Sequence, residues 1–325
     1  MTLDVTRPVR PAGARRSGPP PRRTMSVRLA RLDLKGSPYL YVAPFFILFA
    51  IFGLYPLVYS VWLSLTDRSP LRVDTNVVGL DNYAFLMTDG RFWTSVVNTL
   101  GMFLIATVPQ LLMALVLANW LNRRLRGMGF FRMSIAVPIV TSTAVVALIF
   151  GMFYARDYGL FNFVLDSLGM EPVDWRARRF HSWVAISTMV DWRWTGYNAL
   201  IYLAAMQAIP KDMYESAALD GASRARQFWS ITVPLLKPTI IFTVIISTIG
   251  GLQLFVEPLM FTSGSGALRG GSTNQFQTMV MYLVETMRTF HQWGYAGAIS
   301  VMLIVLTIVV SFINYLLIRR ISSEK

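Results

Sequence analysis

The residue types that usually carry catalysis are scarce in this sequence and are not spaced for it. The chain has no cysteine, which excludes disulfides, thiolate metal sites and thiol nucleophiles. His181 and His291, its two histidines, do not stand with carboxylates at the spacing of metal ligands. The glycine-rich segment 264–272, GSGALRGGS, lacks the lysine of a phosphate-binding P-loop, so we expect a flexible external loop there. The sequence therefore predicts no enzyme, no metal site and no cofactor in this chain.

Some ionisable residues lie within long apolar segments, where they indicate binding or transport. An ionisable side chain at membrane depth costs several kcal/mol unless it is paired or hydrated, so it marks a functional position by default. Asp191 and Arg193 lie two positions apart in the segment 191–198, DWRWTGYN. Residues with that spacing do not face each other on a helix, so each needs another partner or water.

A second polar pair lies in the segment GGLQLFVEPLMFTSG further along the chain. Gln253 and Glu257 are one helical turn apart, and we expect them to share one face of a helix. Pro258 loosens the local hydrogen bonding, while Gly250 and Gly251 permit close helix packing or an unwound turn.

Together the two segments hold the groups that bind sugars, which are planar hydrogen-bonding groups and aromatic rings that stack on C–H faces. The predicted substrate path consists of Trp192, Trp194, Tyr197, Asn198, Gln253 and Glu257. Helix packing and an aromatic belt at the membrane interface are the alternative explanation for these residues.

Between the two segments lies a charged stretch, residues 214–234, YESAALDGASRARQFWSITVP. Its ESAA run favours a helix, and Gly221 tolerates the positive φ that ends one. Ser223 is suited to cap a second short helix, and Pro234 closes the stretch before the next apolar run. The expected structure is a helix, a tight turn and a second helix beside a membrane.

The composition is that of a membrane protein. Of the 325 residues, 54% are hydrophobic and only 14% are charged, against about 25% charged residues in a soluble domain. The net charge of +13 lies mostly in the N-terminal arm and in loops, which indicates no nucleic-acid partner. Residues 1–38 are rich in Arg, Pro and Gly and are predicted to form a disordered basic arm in the cytoplasm, beside anionic lipid.

The remaining residues, 39–325, are predicted to form an all-α transmembrane domain with about six transmembrane helices. The predicted spans are 39–65, 95–120, 130–154, 181–206, 238–261 and 294–318, with a cytoplasmic loop at 207–237. With both termini in the cytoplasm, the inner segments hold 20 Lys and Arg residues, counting Arg132 at the inner end of the third span, and the outer connections hold nine. The positive-inside rule therefore favours this orientation, which places the charged stretch inside.

The charged stretch resembles the EAA loop of permease subunits of ABC importers, where a Glu-Ala-Ala triplet precedes a Gly and an Ile-x-Leu-Pro. The matching positions are Glu215, Ser216, Ala217, Gly221, Ile231, Val233 and Pro234. Ser216 and Val233 depart from the pattern by small or isosteric changes. The segment GLDNY…RFW…NT resembles the carbohydrate-importer branch of the family. Segments 191–210 and 250–264 are most similar to actinobacterial cellobiose and β-glucoside permeases.

The resemblance implies a type I ABC importer permease fold with a cytoplasmic coupling helix that docks into a groove of an ATPase subunit. The residues implied in ATPase coupling are Tyr214, Glu215, Ser216, Ala217, Ala218, Asp220, Gly221 and Pro234. Glu215 would make a polar contact, Gly221 would set the turn, and Ala217 and Ala218 would keep the helix surface small. The implied partners are a second homologous permease, an ATPase dimer that holds ATP and Mg²⁺, an extracellular substrate-binding lipoprotein, membrane lipid and the sugar.

Three other functions predict different features. A permease for a polyol or glycerol phosphate would favour a strongly basic path, whereas the inner halves of the spans offer only Arg193. An ion-coupled secondary transporter predicts inverted repeats and a midplane carboxylate, for which Glu257 is the attractive position. A scaffold or sensor would carry a soluble output domain. The favoured function is the membrane subunit of an ATP-driven importer in a bacterial cytoplasmic membrane, for a di- or oligosaccharide such as cellobiose.

Overall fold

The computed structural model describes residues 25–123, 127–262, 264 and 266–323, and the side chains between residues 37 and 319. Within these residues the structure is helical, with one antiparallel bridge between Thr66 and Val77. The α-helices are α1 Met25–Phe49, α2 Tyr55–Ser64, α3 Asp81–Thr88, α4 Gly90–Leu121, α5 Met128–Val140, α6 Thr143–Phe153, α7 Leu160–Ser167, α8 Arg179–Gln207, α9 Lys211–Leu219, α10 Arg224–Gln227, α11 Val233–Leu235, α12 Lys237–Leu252, α13 Val256–Phe261, α14 Met279–Arg288 and α15 Trp293–Ser323. The predicted all-α class is confirmed.

The chain forms two compact units, Met1–Val58 and Tyr59–Lys325. In the first unit the helix begins at Met25, inside the arm that was predicted to be disordered as far as residue 38. The Pro- and Gly-rich part of that arm lies outside the described residues. Residues 25–35, MSVRLARLDLK, consist largely of Leu, Arg and other good helix formers, which explains the difference.

Two π-helical turns each end two residues before a proline. Residues Ala50–Leu54 form one ahead of Pro56, and Phe228–Thr232 form the other ahead of Pro234. Proline has no N–H to donate and its ring crowds the carbonyl four residues earlier. A wider turn accommodates the proline while the chain stays helical.

The second unit is organised around α4, which contributes to all three of its cores, and α8, which contributes to two of them. The first core joins them to α6, α13 and neighbouring loops through Met102, Ala106, Ala147, Tyr154, Ala185, Ile186, Met189, Val190, Leu254, Phe261 and Phe276. The second joins their C-terminal halves to the segment after α10 through Ala114, Leu115, Ala118, Leu121, Ala199, Tyr202, Leu203, Met206, Phe228 and Leu236. The third joins α3, α4, α14 and α15 through Leu86, Phe92, Val96, Met279, Tyr282, Tyr295, Ala298, Ile299 and Leu303.

The predicted span 130–154 is not one helix, so this prediction is corrected. Helices α5 and α6 meet at an angle of 95° across a break at Thr141 and Ser142. Both residues adopt extended backbone angles, and the Ser142 carbonyl accepts the first hydrogen bond of α6. Pro138 in the last turn of α5 has already removed one backbone donor, and Ser and Thr favour helix ends over helix interiors.

The predicted span 238–261 is also broken, at residues 253–255 between α12 and α13. The unwound turn that the glycine pair permits is therefore present. Pro258 cannot donate to the carbonyl of Leu254, four residues earlier. The Thr278 hydroxyl donates to that carbonyl instead, at 2.8 Å, so the break leaves no unsatisfied acceptor there.

Three helical segments among the described residues have the length and apolar composition to cross a membrane, namely Ser37–Ser64, α4 and Trp293–Arg319. The number rises to five if the α5–α6 pair and the bent pair Arg224–Leu235 and Lys237–Leu252 each count as one span. Helix α8 has 29 residues but is not among them, because it carries polar and charged residues along its length. Six spans with both termini inside therefore stay a prediction.

A polar network holds the described part of the segment between α13 and α14, for which a flexible loop was expected. The Glu285 carboxylate is buried and accepts from Arg91 Nη2 at 2.6 Å and from Gln277 Nε2 at 2.7 Å. Asn98 Nδ2 donates to the backbone carbonyls of Asn274 and Gln277. Within the predicted flexible loop, the Leu268 carbonyl accepts from Gln277 Nε2 at 2.8 Å, and Arg269 Nε lies 3.5 Å from Glu285 Oε1 of α14.

Asp89 caps α4 beside this network. Its carboxylate accepts from the backbone N–H of Arg91 at 2.9 Å and from the Tyr282 and Tyr295 hydroxyls at 2.5 and 2.6 Å. Burial opposes ionisation of Asp89, but these hydrogen bonds outweigh it and hold the pKa of the carboxyl below its ordinary value.

Candidate functional sites: a charged hairpin and a buried ion pair

Helices α9 and α10 form a hairpin, which we call the 211–227 hairpin, closed at Gly221. The Gly221 φ is +76°, and space is open where a Cβ would stand. The Ala222 N–H donates to the Ala217 carbonyl at 2.9 Å, and the Gly221 N–H donates to the Ala218 carbonyl at 3.1 Å. These two bonds define a Schellman ending of α9, which requires the left-handed residue that glycine supplies. The turn predicted at Gly221 is confirmed.

Side-chain hydrogen bonds brace the hairpin from both ends. The Ser223 hydroxyl accepts from the Arg226 N–H at 3.3 Å, which confirms Ser223 as the cap of α10. The Tyr214 and Thr232 hydroxyls lie 2.9 Å apart and join α9 to the π-helical turn. The sequence pattern held no signal for this last contact, because Tyr214 and Thr232 are 18 positions apart.

The residues predicted to contact an ATPase lie mostly on the surface of the hairpin. Tyr214 and Ala217 are half-buried, and the exposed members of the set are Glu215, Ser216, Ala218, Asp220, Gly221 and Pro234. Leu219, which the sequence reasoning did not single out, is 90% exposed at the end of α9. An apolar side chain so exposed on a polar hairpin is typical of a contact surface for a partner.

The hairpin is anchored to α4 and α8 through the second core. Phe228, directly after α10, and Leu236, directly before α12, are buried among residues of α4 and α8. Only residues 208–210 separate α8 from α9. The hairpin is therefore joined to the neighbouring helices at both of its ends, and a force on the hairpin acts on both junctions.

Arg193 and Glu257 form an ion pair between α8 and α13. Arg193 Nη1 and Glu257 Oε1 are 3.6 Å apart, and the side chains are 11% and 8% exposed. Arg193 therefore pairs with a residue other than Asp191, as its spacing from Asp191 predicted. The pair joins an unbroken helix to the short helix that follows the break at residues 253–255.

The expectation that Gln253 and Glu257 share one helix face is wrong. Helix α12 ends at Leu252 and α13 begins at Val256, so the two side chains belong to different helices. Gln253 is exposed at the end of α12, whereas Glu257 is buried. The structure brings Glu257 to Arg193 and does not bring Gln253 with it.

The four predicted substrate-path residues of α8 have different surroundings. Trp192 and Tyr197 are exposed, while Trp194 is half-buried and packs against the first core. Asn198 is buried, and its Nδ2 lies 3.4 Å from Ser247 Oγ of α12. Asn198 therefore takes part in helix packing, and the role of the set in a substrate path stays a prediction.

Asp191 lines a cleft of about 370 Å³ with Trp192, Thr195 and Pro138. Among the described residues, its buried Oδ1 atom has no hydrogen-bond partner. A carboxylate oxygen without a partner at this depth is an acceptor available to a hydroxyl or to water.

The fold and these two features define a helical multi-pass membrane protein with broken membrane helices and a hydrogen-bonded surface hairpin. Residues 91–323 match the family model of the binding-protein-dependent transport system inner membrane component. This match covers more than half of the chain, and the chain belongs to that family of transport permease subunits. It is accordingly a multi-pass protein of the cytoplasmic membrane.

Curated relatives agree over nearly their whole length. The chain is 37% identical over 287 residues to the lactose transport system permease protein LacF of Rhizobium radiobacter, covering 87% of this chain and 93% of the relative. It is 33% identical over 282 residues to the arabinooligosaccharides transport system permease protein AraP of Bacillus subtilis, covering 86% and 88%. It is 33% identical over 270 residues to the trehalose/maltose transport system permease protein MalF of Thermococcus litoralis, covering 83% and 89%.

A solved structure supports the fold. The chain superimposes on a chain of a bacterial alginate ABC transporter in complex with an alginate pentasaccharide-bound periplasmic protein, with a TM-score of 0.75, 21% identity, and coverage of 93% of this chain and 99% of that chain. The ABC importer permease fold implied by the EAA resemblance is therefore the fold of this protein.

Proposed function

We propose that this chain is a membrane-spanning subunit of an ATP-driven sugar importer and that the 211–227 hairpin couples it to a separate ATPase. The observation that carries the proposal is the geometry of the hairpin. Its outer surface is exposed, its turn is fixed by Gly221, and Phe228 and Leu236 anchor it to α4 and α8. A rigid, exposed and anchored element is what force transmission from a partner requires.

The proposed cycle follows from this arrangement. Closure of the ATPase dimer around ATP moves the hairpin, and the hairpin displaces α4 and α8 because the segment that follows it packs against both through Phe228 and Leu236. Displacement of these helices alternates access to a path formed with a second, homologous permease. A sugar delivered by an extracellular binding protein then enters the path, and the exposed Trp192 and Tyr197 offer it aromatic faces.

The substrate we propose is a neutral di- or oligosaccharide such as cellobiose. The named relatives include transporters of lactose, arabinooligosaccharides and trehalose or maltose. The charge of Arg193 on α8 is compensated by Glu257 at 3.6 Å. This pairing leaves the charge of Arg193 unavailable to a phosphorylated solute, and so it disfavours glycerol phosphate.

Substitution of Gly221 tests the coupling role. In proteoliposomes that hold the whole transporter and its binding protein, we expect Gly221→Asp to reduce sugar uptake by about tenfold, the equivalent of 1.4 kcal/mol at the docking surface. The substitution adds a negative charge next to Asp220 on the exposed turn. Membrane insertion should be unchanged, because open space surrounds the position.

Two further variants separate the effects of charge and backbone. Gly221→Asn has the size of Asp and tolerates the left-handed conformation, so uptake should remain near the wild-type rate. Gly221→Val strains the turn, because a β-branched residue disfavours positive φ, and uptake should fall. Wild-type uptake by both the Asp and the Val variants would exclude coupling through this turn.

The driving force and the sugar are measured in the same preparation. We expect one disaccharide, added with the binding protein, to stimulate ATP hydrolysis by the purified complex. Uptake that instead follows a proton or sodium gradient, with no ATPase in the complex, would favour an ion-coupled transporter. Glu257 would then be the residue to replace.

A further inference from the structure

A cavity of about 870 Å³ lies between the C-terminal end of α4 and the 211–227 hairpin. Its lining is polar and basic, and includes Asn122, Arg123, Arg224, Gln227 and Trp229. This lining differs from the core beneath it, which is apolar.

The charge of the cavity is uncompensated within the described part of the chain. No Asp or Glu is among the residues that line it, and neither Arg123 nor Arg224 forms an ion pair with a described residue. Two guanidinium groups present several N–H donors in fixed planes, which is the geometry that suits phosphate oxygens. The side chains of Asn122 and Trp229 add neutral donors.

The walls of the cavity are fixed by the fold. Tyr214 and Thr232, which also line it, are joined by their hydroxyls at 2.9 Å. Phe228 is buried in the second core. The cavity therefore exists without a ligand, so a ligand would not have to order its walls before binding.

Two tryptophans indicate the depth of the cavity relative to the membrane. Trp120, in the last turn of α4, and Trp229, on the cavity wall, are each 60% exposed. Exposed tryptophans with this placement at the end of an apolar helix are typical of the membrane–water interface. The phosphate groups of a bilayer lie at that level.

We propose that this cavity binds a phosphate group, carried either by an anionic phospholipid headgroup or by a soluble phosphate. Arg123 and Arg224 hold its oxygens, and Asn122 and Trp229 supply neutral donors. The assignment of the cavity to the cytoplasmic side rests on the proposed function, whereas the binding itself does not. A ligand here would bridge α4 and the hairpin, and so stiffen the connection between them.

The test uses the full chain, purified in detergent and titrated with phosphatidylglycerol or phosphatidylethanolamine, with the bound lipid counted by native mass spectrometry. A basic residue near a membrane surface contributes about 1 kcal/mol toward anionic lipid, so Arg123→Gln and Arg224→Gln should each weaken phosphatidylglycerol retention roughly fivefold and the double variant roughly 25-fold. Arg226→Gln is the matched control, because Arg226 is exposed on the same short helix but does not line the cavity. It should retain the lipid as the wild type does.

Inorganic phosphate identifies the source of the group. The site is assigned to a soluble phosphate if millimolar phosphate displaces phosphatidylglycerol, or if the wild type binds phosphate and the double variant does not. It is assigned to the lipid if phosphate has no effect on the retention of phosphatidylglycerol. The proposal is overturned if the wild type shows no preference for phosphatidylglycerol and no phosphate binding, or if Arg226→Gln loses as much as the double variant. A double Arg→Lys variant, which keeps the charge, serves as the control for misfolding of the double Gln variant. No ATP or sugar is present, so a failed importer assay would not affect this result.

Discussion

Replacing one member of the Arg193–Glu257 pair leaves the other as a buried charge without its partner. Arg193→Met leaves the Glu257 carboxylate, and Glu257→Met leaves the guanidinium. The double Met variant removes both charges and fills the space with apolar side chains. These three variants form a double-mutant cycle across α8 and α13.

The distance sets the scale of the effect. At 3.6 Å, two unit charges in a medium with an effective dielectric constant near 20 attract by about 4.6 kcal/mol. Breaking a buried pair by removing one partner costs about 3–5 kcal/mol, whereas replacing both partners by apolar residues is often neutral. At that separation the charges are beyond hydrogen-bond distance, so we take the lower end, about 3 kcal/mol, for each single variant.

Thermal unfolding of the purified chain in detergent measures the cycle. For a chain of 325 residues, a loss of about 3 kcal/mol corresponds to a Tm decrease of roughly 4–5 °C. The double variant should lie within about 2 °C of the wild type. Arg72→Met is the control, since Arg72 pairs with Asp67 at 3.9 Å on the surface and should change Tm little. If the double variant lost the sum of the two single losses, the two charges would not stabilise each other and the reasoning would fail.

Two other predictions concern polar contacts outside the hairpin. Thr278→Val should lower the free energy of unfolding by about 1–3 kcal/mol, because the Leu254 carbonyl freed by Pro258 loses its donor. Thr278→Ser keeps the hydroxyl and should retain most of the wild-type stability. Equal Tm values for the Val and Ser variants would contradict this. Asp89→Asn should lower Tm at neutral pH. Because the folded-state pKa of Asp89 is depressed, its contribution is present above the ordinary pKa and is lost as pH falls, so the Tm difference from wild type should shrink below about pH 4. A difference that is constant with pH would contradict the role of the carboxylate.

The hairpin could be predicted closely from the sequence because its signals are local. Gly221 ends a helix for a steric reason that acts within a few residues, and Ser223 caps one through its own neighbours. Helix-forming residues and membrane-length apolar runs are local signals too, which explains why the all-α class was predictable.

The breaks in the membrane helices could not be predicted from local sequence signals alone. Pro258 indicates that one carbonyl loses its donor, but the helix can bend or break in response. Thr278, 24 residues from Leu254, supplies the replacement donor that makes the break tolerable. The pairing of Arg193 with Glu257, 64 positions apart, likewise depends on how the broken helix packs against α8. Such contacts follow from tertiary structure.

Helix α8 has a geometric consequence for the ion pair. Its 29 residues extend about 43 Å at 1.5 Å per residue, and about 21 Å separate Arg193 from its end at Gln207. If α8 tilts as a rod, a shift of its end near the hairpin also displaces Arg193. The size of that displacement is proportional to the distance between Arg193 and the pivot. Glu257 belongs to a different helix and does not follow this rotation directly. The separation of the two charged groups therefore reports the angle of α8, and a pair of spectroscopic labels on α8 and α13 would read the transport cycle as a distance.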